Sequence, residues 1–175
     1  MKKESKTLNY YDGIAKGYKS LYHQEQIKKI SLIKNHLPKR GILLDLGGGD
    51  GVLNQFFESD SSNEIDLISF DLSFELLKLN NNLKKIQGSI LNLPFKNHSI
   101  DNIYSFTVFQ DLPNVEKGLD EVKRVLKQNG IFILSFLHVA RDVDILLNKI
   151  KSDFEIIKEI KEEKDYIFVL ELKSV

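Results

Sequence analysis

Glycines and acidic residues are concentrated in one short stretch of the sequence. Residues 45–51 read Asp-Leu-Gly-Gly-Gly-Asp-Gly and follow the apolar residues 42–44. Glycines at a turn between a strand and a helix let the backbone approach a ligand closely, and the N-terminus of the following helix favours negative charge. The stretch therefore predicts a ligand-binding loop, for which the alternative is a tight turn without a ligand.

The spacing of these glycines and of a later aspartate narrows the kind of ligand. The dinucleotide fingerprint is G-x-G-x-x-G, whereas this loop reads G-x-G-x-G from Gly47 and has Val52 in the next position. A pyrophosphate site, and with it a nicotinamide-dependent oxidoreductase, is therefore disfavoured. Asp71 ends the next predicted strand, where a carboxylate can accept both hydroxyls of a ribose. Its alternative role is to cap the helix that follows.

Apolar periodicity places the loop in a chain of alternating strands and helices. Strands are predicted at residues 42–46, 65–70, 85–88, 100–106 and 131–137, followed by a hairpin of residues 154–160 and 166–172. Helices are predicted in two segments within residues 8–36, after the glycine loop, after Ser73, from Asn114 to a stop at residues 129–130, and around residues 143–150. Such alternation implies right-handed crossovers and a parallel sheet. We therefore expect an α/β fold, a three-layer αβα sandwich around a seven-stranded, mostly parallel sheet with a C-terminal antiparallel hairpin strand and an N-terminal helical lid.

Composition and charge disfavour several classes of function. The absence of Cys excludes disulfides, thiolate zinc sites and cysteine nucleophiles, and the four His lack metal-ligand spacing, so no metal is expected. The 25 basic residues balance the 25 acidic ones, which argues against a strong nucleic-acid or membrane partner. The pairs Lys28-Lys29 and Lys84-Lys85 are therefore expected on solvated faces. No signal peptide or bilayer-spanning apolar run is visible, and a cytoplasmic location is expected.

Four motifs resemble those of class I, or Rossmann-like, S-adenosylmethionine-dependent methyltransferases, and they occur in the family's order. Residues 11–18 (Y-D-G-I-A-K-G-Y) are similar to the F-D-x-I-A-x-x-Y opening of ubiquinone/menaquinone-type methyltransferases, and residues 44–51 (L-D-L-G-G-G-D-G) are similar to the family's first motif. Residues 88–95 (G-S-I-L-N-L-P-F) are similar to its G-D-A-x-x-L-P-F segment, and residues 121–130 (E-V-K-R-V-L-K-Q-N-G) are similar to its E-x-x-R-V-L-K-P-G-G segment. The resemblance is strongest to the ubiquinone/menaquinone-biosynthesis-like (type 11) branch. It implies one methyltransferase domain over residues 1–175, with a helical lid at 1–38 and a Rossmann-like core at 39–175.

The resemblance also implies a cofactor and the residues that bind it. The cofactor is S-adenosylmethionine, with S-adenosylhomocysteine as its product and no metal, and Asp45 is expected to hold the methionine amino group, partly through water. At position 89 the family usually has an aspartate that hydrogen-bonds the adenine amine. Ser89 is expected to do this more weakly, while the backbone N–H of Ile90 serves adenine N1. The expected cofactor-binding residues are Tyr11, Tyr18, Asp45, Gly47, Gly48, Gly49, Asp71, Leu72, Ser89, Ile90 and Phe106.

The reaction and its acceptor are less well specified by the sequence. Asp111, just after the fourth predicted strand, is a candidate general base, and His138, after the fifth, is a candidate group in the acceptor pocket. Ordinary loop and surface roles are the alternatives. A small-molecule acceptor is favoured over a protein or an RNA, and no motif indicates whether N, O, S or C is methylated. The alternative function is a methyltransferase-like scaffold or partner subunit that binds the cofactor without catalysing transfer.

Overall fold

The computed structural model describes residues 2–58 and 64–174. Helices and strands alternate along the chain in the predicted order. The strands are β1 (Arg40–Leu46), β2 (Glu64–Asp71), β3 (Lys85–Gln87), β4 (Ile100–Phe106), β5 (Leu126–Leu137), β6 (Phe154–Lys161) and β7 (Asp165–Leu172). The helices are α1 (Lys2–Leu32), α2 (Gln55–Glu58), α3 (Phe74–Leu79), α4 (Val115–Val125) and α5 (Val143–Asp153).

The seven described strands form one sheet in the order β3-β2-β1-β4-β5-β7-β6. β1 pairs in parallel with β2 and β4, β2 with β3, and β4 with β5. β7 runs antiparallel between β5 and β6, so the predicted fold class is confirmed. Strand order reverses beside β1, and the carboxyl ends of β1 and β4 therefore border the crevice where ligands bind in open α/β sheets.

Apolar side chains cover both faces of the sheet and hold helices on each. On one face, Val122 of α4 and Leu146 of α5 are fully buried in a cluster with Phe132 of β5. On the other face, Ile30 near the end of α1 is fully buried in a cluster with Leu43 of β1. Burying a side chain of this size contributes about 1.5–3 kcal/mol, so the two clusters hold the three layers of the sandwich together.

Two predicted helix starts are confirmed by their caps. The Ser73 hydroxyl accepts the N–H of Leu76 at 3.1 Å at the start of α3. The Asn114 side chain accepts the N–H of Lys117 at 2.9 Å at the start of α4. Each cap satisfies a backbone donor that the first helical turn leaves free.

α4 ends earlier than its apolar pattern predicts. The predicted stop was at residues 129–130, whereas the helix ends at Val125. Leu126 is extended (φ −69°, ψ 135°) and pairs with Ile100 of β4. Pairing with a strand that is distant in sequence outweighs the local helical pattern, so β5 starts at Leu126 rather than at residue 131.

α1 is one continuous helix of 31 residues, where the sequence indicated two shorter segments. It crosses the carboxyl edge of the sheet, and Lys29 helps to fix its far end. The Lys29 side chain is 4% exposed, and its Nζ lies 2.8 Å from Oγ1 of Thr107 and 3.0 Å from Oδ1 of Asp165. The expectation that Lys29 is solvated is therefore wrong, because two strand ends supply it with buried partners. Among the described residues, no helix is both long and apolar enough to cross a membrane.

Candidate functional site

A cavity of about 690 Å³ lies between α1 and the carboxyl ends of the parallel strands. Small-molecule sites typically enclose about 300–1,000 Å³, so this volume suits a ligand the size of a substituted nucleoside. Asp45, Gly48 and Gly49 do not line the cavity, although they adjoin residues that do. The expected cofactor-binding residues that line it are Tyr11, Tyr18, Gly47, Asp71, Leu72, Ser89, Ile90 and Phe106.

The glycine loop is held between two strand ends. The N–H groups of Gly47 and Gly48 donate to the Phe70 carbonyl of β2 at 2.7 and 3.2 Å. Gly47 has a φ of +78°, and a Cβ on it would lie 2.2 Å from Cγ2 of Val108, just beyond β4. A residue other than glycine would be both strained and in collision at this position, so the bare loop backbone borders the cavity.

Asp71 is fixed at the end of β2 by backbone donors. Its Oδ2 accepts the N–H of Gly49 at 2.9 Å, and its Oδ1 accepts the N–H of Ser73 at 2.7 Å. Burial raises the pKa of Asp71 to about 6, against the lowering effect of these N–H donors. Each carboxylate oxygen can accept a further hydrogen bond, and the side chain also lines the cavity. The cap of α3 is Ser73 rather than Asp71, and the Asp71 carboxylate keeps the capacity to accept a hydroxyl.

Asp45, at the end of β1, is a buried carboxylate beneath the loop. It is 5% exposed, and a Cβ on Gly48 would lie 2.6 Å from its Oδ2. Burial, with smaller effects of the Asp71 and Asp50 carboxylates, raises the pKa of Asp45 to about 7. A cationic group near the loop would therefore favour its ionised form.

Ser89 contacts a carboxylate that α1 supplies. Its hydroxyl donates to Oε1 of Glu4 and accepts the N–H of Leu91 at 3.2 Å. Glu4 and Ser89 both line the cavity. A carboxylate is thus present beside position 89, where the resemblance led us to expect an aspartate, but it comes from the N-terminal helix.

The underside of α1 carries tyrosines next to one of the catalytic candidates. The ring centroids of Tyr11 and Tyr18 lie 6.2 Å apart, and those of Tyr18 and Tyr22 lie 5.0 Å apart. The Tyr11 hydroxyl donates to Oδ2 of Asp111 at 2.8 Å. Burial raises the pKa of Tyr11, so this hydroxyl remains a neutral donor. Because Asp111 also lines the cavity, the geometry allows it to contact a ligand.

His138, the other catalytic candidate, is not part of the cavity wall. Its ring packs on Tyr166 of β7, with the centroids 4.2 Å apart, and its Nε2 is buried without a hydrogen-bond partner. Within residues 2–58 and 64–174, no group of three or more His, Asp or Glu side chains could hold a metal ion.

Comparison with known proteins identifies the family. The sequence pattern of the methyltransferase domain, in its type 11 form, matches residues 44–134, which run from β1 and the glycine loop into β5. The chain belongs to the class I S-adenosylmethionine-dependent methyltransferases. The predicted family, including its type 11 branch, is confirmed.

Individual proteins are similar to this chain in sequence or in fold. The methyltransferase chain is 29% identical over 160 residues to the uncharacterized protein MJ1252 of Methanocaldococcus jannaschii, covering 89% of this chain and 61% of the relative. It therefore spans less than two thirds of that relative's length. A SAM-dependent methyltransferase from Aquifex aeolicus has a similar fold (TM-score 0.76, 14% identity, 93% and 98% of the two chains covered). A chain in the Haloferax volcanii complex between the Trm112 methyltransferase activator and a methyltransferase is also similar (TM-score 0.71, 14% identity, 95% and 98% covered).

Sequence reasoning missed residues of α1 that line the cavity or contact its edge. Glu4 and Gln26 line the cavity, and Lys29 contacts Thr107, which has a strained φ of +60°. The one available signal was helical spacing, because Gln26 follows Tyr18 and Tyr22 at intervals of four. That pattern is typical of any buried helix face, so it could not indicate a cavity.

In this methyltransferase, Ser89→Asp is expected to lower the affinity for S-adenosylhomocysteine. The new carboxylate would replace a hydroxyl that donates to Glu4, and two adjacent carboxylates repel each other. The double variant with Glu4→Gln should recover most of the affinity, because the glutamine amide can donate to the new carboxylate. Calorimetry on both variants checks this, and equal affinities for Ser89→Asp with and without Glu4→Gln would contradict the contact.

The free energy of unfolding of Asp45→Asn is expected to rise, relative to that of the unaltered chain, as the pH rises. The ordinary aspartate pKa is 3.8, and burial raises that of Asp45 to about 7. Between these values the folded chain binds more protons than the unfolded chain, so the Asp45 contribution to stability is present below the lower value and is lost as the pH rises through the upper one. Asparagine mimics the neutral carboxyl group and does not titrate. Urea unfolding of both chains from about pH 4 to about pH 8 measures the difference, and a constant difference would contradict the raised pKa.

Proposed function

We propose that this methyltransferase binds S-adenosylmethionine in the cavity beneath α1 and transfers its methyl group to a small-molecule acceptor. The main support for the proposal is that the Asp71 carboxylate accepts the N–H of Gly49 and lines the cavity. When bound, the cofactor supplies a methyl group activated by a positively charged sulfur. Asp71 would bind the ribose hydroxyls, Gly47 would border the methionine portion, and Ser89 and Ile90 would bind the adenine.

The chain's own residues position the reactants and exclude water. α1 covers the cavity, which strengthens electrostatic interactions inside it, and holding donor and acceptor close together can supply much of the rate acceleration. One oxygen of Asp111 accepts the Tyr11 hydroxyl. The other oxygen can take the proton that an O–H or N–H acceptor loses.

The rest of the cavity wall favours a small organic acceptor. Beyond the residues assigned to the cofactor, the wall combines apolar and aromatic side chains with charged and polar ones such as Glu25, Gln110 and Lys164. Because α1 covers this region, a protein or an RNA would have to displace the helix before it could reach the methyl group. The apolar and aromatic side chains of this part of the wall are Tyr10, Tyr22, Leu76, Val108, Leu112, Pro113 and Leu137.

A cofactor-binding subunit that needs a protein partner is the second candidate function. The neighbouring fold from Haloferax volcanii occurs in a complex with an activator protein. This chain exposes large apolar side chains close to its edge strand β3, with exposed fractions of 53% for Phe74, 48% for Leu79 and 96% for Leu83. Exposed apolar patches mark interaction sites when they are contiguous. Such a chain would bind the cofactor alone and transfer methyl groups only with its partner.

Methyl transfer from radiolabelled S-adenosylmethionine to a fractionated lysate tests the proposal. We expect label in the small-molecule fraction with the unaltered chain and its loss with Asp71→Asn. Label confined to protein or RNA would contradict the small-molecule acceptor. Binding of S-adenosylhomocysteine without label in any fraction would favour the subunit function, and absence of binding would contradict the cofactor assignment.

The first part of α1 is expected to exchange amide hydrogens more slowly when S-adenosylhomocysteine is added. Few polar contacts fix it to the core; the described ones include Tyr11 to Asp111 at 2.8 Å and Ser73 to Asp12 at 2.5 Å. Weakly fixed helices open locally at low free energy, and a ligand beneath the helix would hold it closed. Hydrogen exchange of residues 8–24 measures the effect, with α5 as an internal control remote from the cavity. Equal protection with and without ligand would show that this segment does not cover the binding site.

A further inference from the structure

Gln26 is a buried amide whose oxygen has no hydrogen-bond partner. The residue is 8% exposed, its Oε1 is buried without a hydrogen-bond partner, and its side chain lines the cavity. An unsatisfied buried polar group costs about 1–3 kcal/mol. Native proteins rarely retain such a group without a reason, and a ligand that provides the missing hydrogen bonds would offset the cost.

The position of Gln26 on α1 places it in a row that starts above the glycine loop. Tyr18, Tyr22 and Gln26 follow at intervals of four, so they share one helix face, and all three line the cavity. At the start of the row, a Cβ on Gly49 would lie 3.8 Å from Cε1 of Tyr18. The row therefore leads from the loop toward the next part of the cavity.

The end of this row lies above the ends of β1 and β4. Lys29 follows Gln26 by about one helical turn and contacts Thr107 at the end of β4, with Nζ 2.8 Å from Oγ1. The next residue, Val108, is the one against which Gly47 packs. Gln26 therefore lies about one helical turn from the residue that contacts the end of β4, and the next residue of that strand end packs against the loop.

A buried carboxylate adjoins the same loop. The Asp45 side chain is 5% exposed and its carboxylate lies against Gly48. A carboxylate accepts hydrogen bonds from a cation, whereas an amide both donates and accepts. A ligand end that carries an ammonium and a carboxylate group, as an α-amino acid does, matches both.

We infer that Gln26 binds the amino-acid end of S-adenosylmethionine, an inference that rests on the proposed function. The Gln26 amide donates a hydrogen bond to the carboxylate of the ligand, and the Asp45 carboxylate lies on the side of the ligand's ammonium group. Either end of the amide can be turned toward the ligand, because a half-turn of the terminal group exchanges its oxygen and nitrogen. No bond is made or broken, so Gln26 acts in binding and orientation only.

Calorimetry with two ligands tests this role. S-adenosylhomocysteine carries the amino-acid end, whereas 5′-methylthioadenosine has the same nucleoside without it. In Gln26→Met, which keeps the side-chain length, we expect the affinity for S-adenosylhomocysteine to fall by about 10- to 100-fold and that for 5′-methylthioadenosine to change by less than about twofold. Gln24→Met is the matched control, because Gln24 is an exposed glutamine of the same helix, and it should alter neither affinity.

A second variant distinguishes the loss of a hydrogen bond from a packing defect at this position. Gln26→Glu keeps the shape of the side chain but repels the ligand carboxylate, so it should also weaken S-adenosylhomocysteine selectively. Unchanged affinity in both variants, or an equal loss for both ligands, would overturn the role of Gln26. If the unaltered chain fails to bind S-adenosylhomocysteine, the proposed function itself is contradicted.

Discussion

Asp71→Asn is expected to weaken the binding of S-adenosylhomocysteine by roughly 10- to 150-fold while the chain stays folded. Hydrogen bonds to a charged group contribute about 1.5–3 kcal/mol, and the carboxylate is the acceptor proposed for the ribose hydroxyls. Asparagine has the same shape, but its nitrogen cannot accept. It must therefore lose either a ribose hydroxyl or one of the backbone N–H groups of Gly49 and Ser73 that fix the carboxylate.

Calorimetry measures this loss, and urea unfolding shows whether the fold is retained. Asp66→Asn is the matched control, because Asp66 lies on the same strand in an exposed ion pair with Lys84. Pairs of that kind contribute at most about 1 kcal/mol and do not contact the cavity. Affinities of Asp71→Asn and Asp66→Asn that agree within error would remove Asp71 from the site.

Gly47→Ala is expected to destabilise the fold by about 2–5 kcal/mol, whereas Gly49→Ala should cost about 1–2 kcal/mol. At Gly47 the added Cβ would lie 2.2 Å from Cγ2 of Val108, and the φ of +78° is left-handed. At Gly49 the nearest atoms would lie 3.8 Å away, and only the φ of +44° is unfavourable. The loop should therefore be displaced by the first substitution alone, which should also abolish cofactor binding.

Urea unfolding of the two variants checks the difference, and Val108→Ala supplies the control. Removing the Val108 methyl groups relieves the collision, so Gly47→Ala should be less damaging in the presence of Val108→Ala than in its absence. Equal losses in both backgrounds would show that the packing of Val108 against Gly47 does not constrain the loop.

The strand-and-helix framework was predictable because its signals are local. Most of the parallel strands contain a short apolar run, and most of the connections between them have a helical pattern or a cap, such as Asn114 before α4. Errors occurred where distant segments decide the structure. Leu126 leaves α4 to pair with Ile100 of β4, and Lys29 is buried against Asp165 of β7.

The residues of the candidate site likewise fall into those that local signals predict and those that distant contacts place there. Gly47 and Asp71 lie at strand ends, where alternation along the chain predicts that they meet. Glu4 and Gln26 act from a helix that crosses the sheet, and Glu4 is 85 residues from the Ser89 hydroxyl that it contacts. A single sequence contains no local signal for such a contact, so Glu4 and Gln26 could be placed at the cavity only from the structure, whereas Tyr11 and Tyr18 were expected there from the resemblance.

The most direct test of the account is a calorimetric titration of the unaltered chain with S-adenosylhomocysteine and, separately, with NAD. The glycine loop lacks the frame of a pyrophosphate site, and Asp71 lines the cavity with a carboxylate suited to ribose hydroxyls. We predict saturable binding of S-adenosylhomocysteine at one site per chain and no detectable binding of NAD. A folded chain that binds NAD as tightly, or that does not bind S-adenosylhomocysteine, would contradict the account.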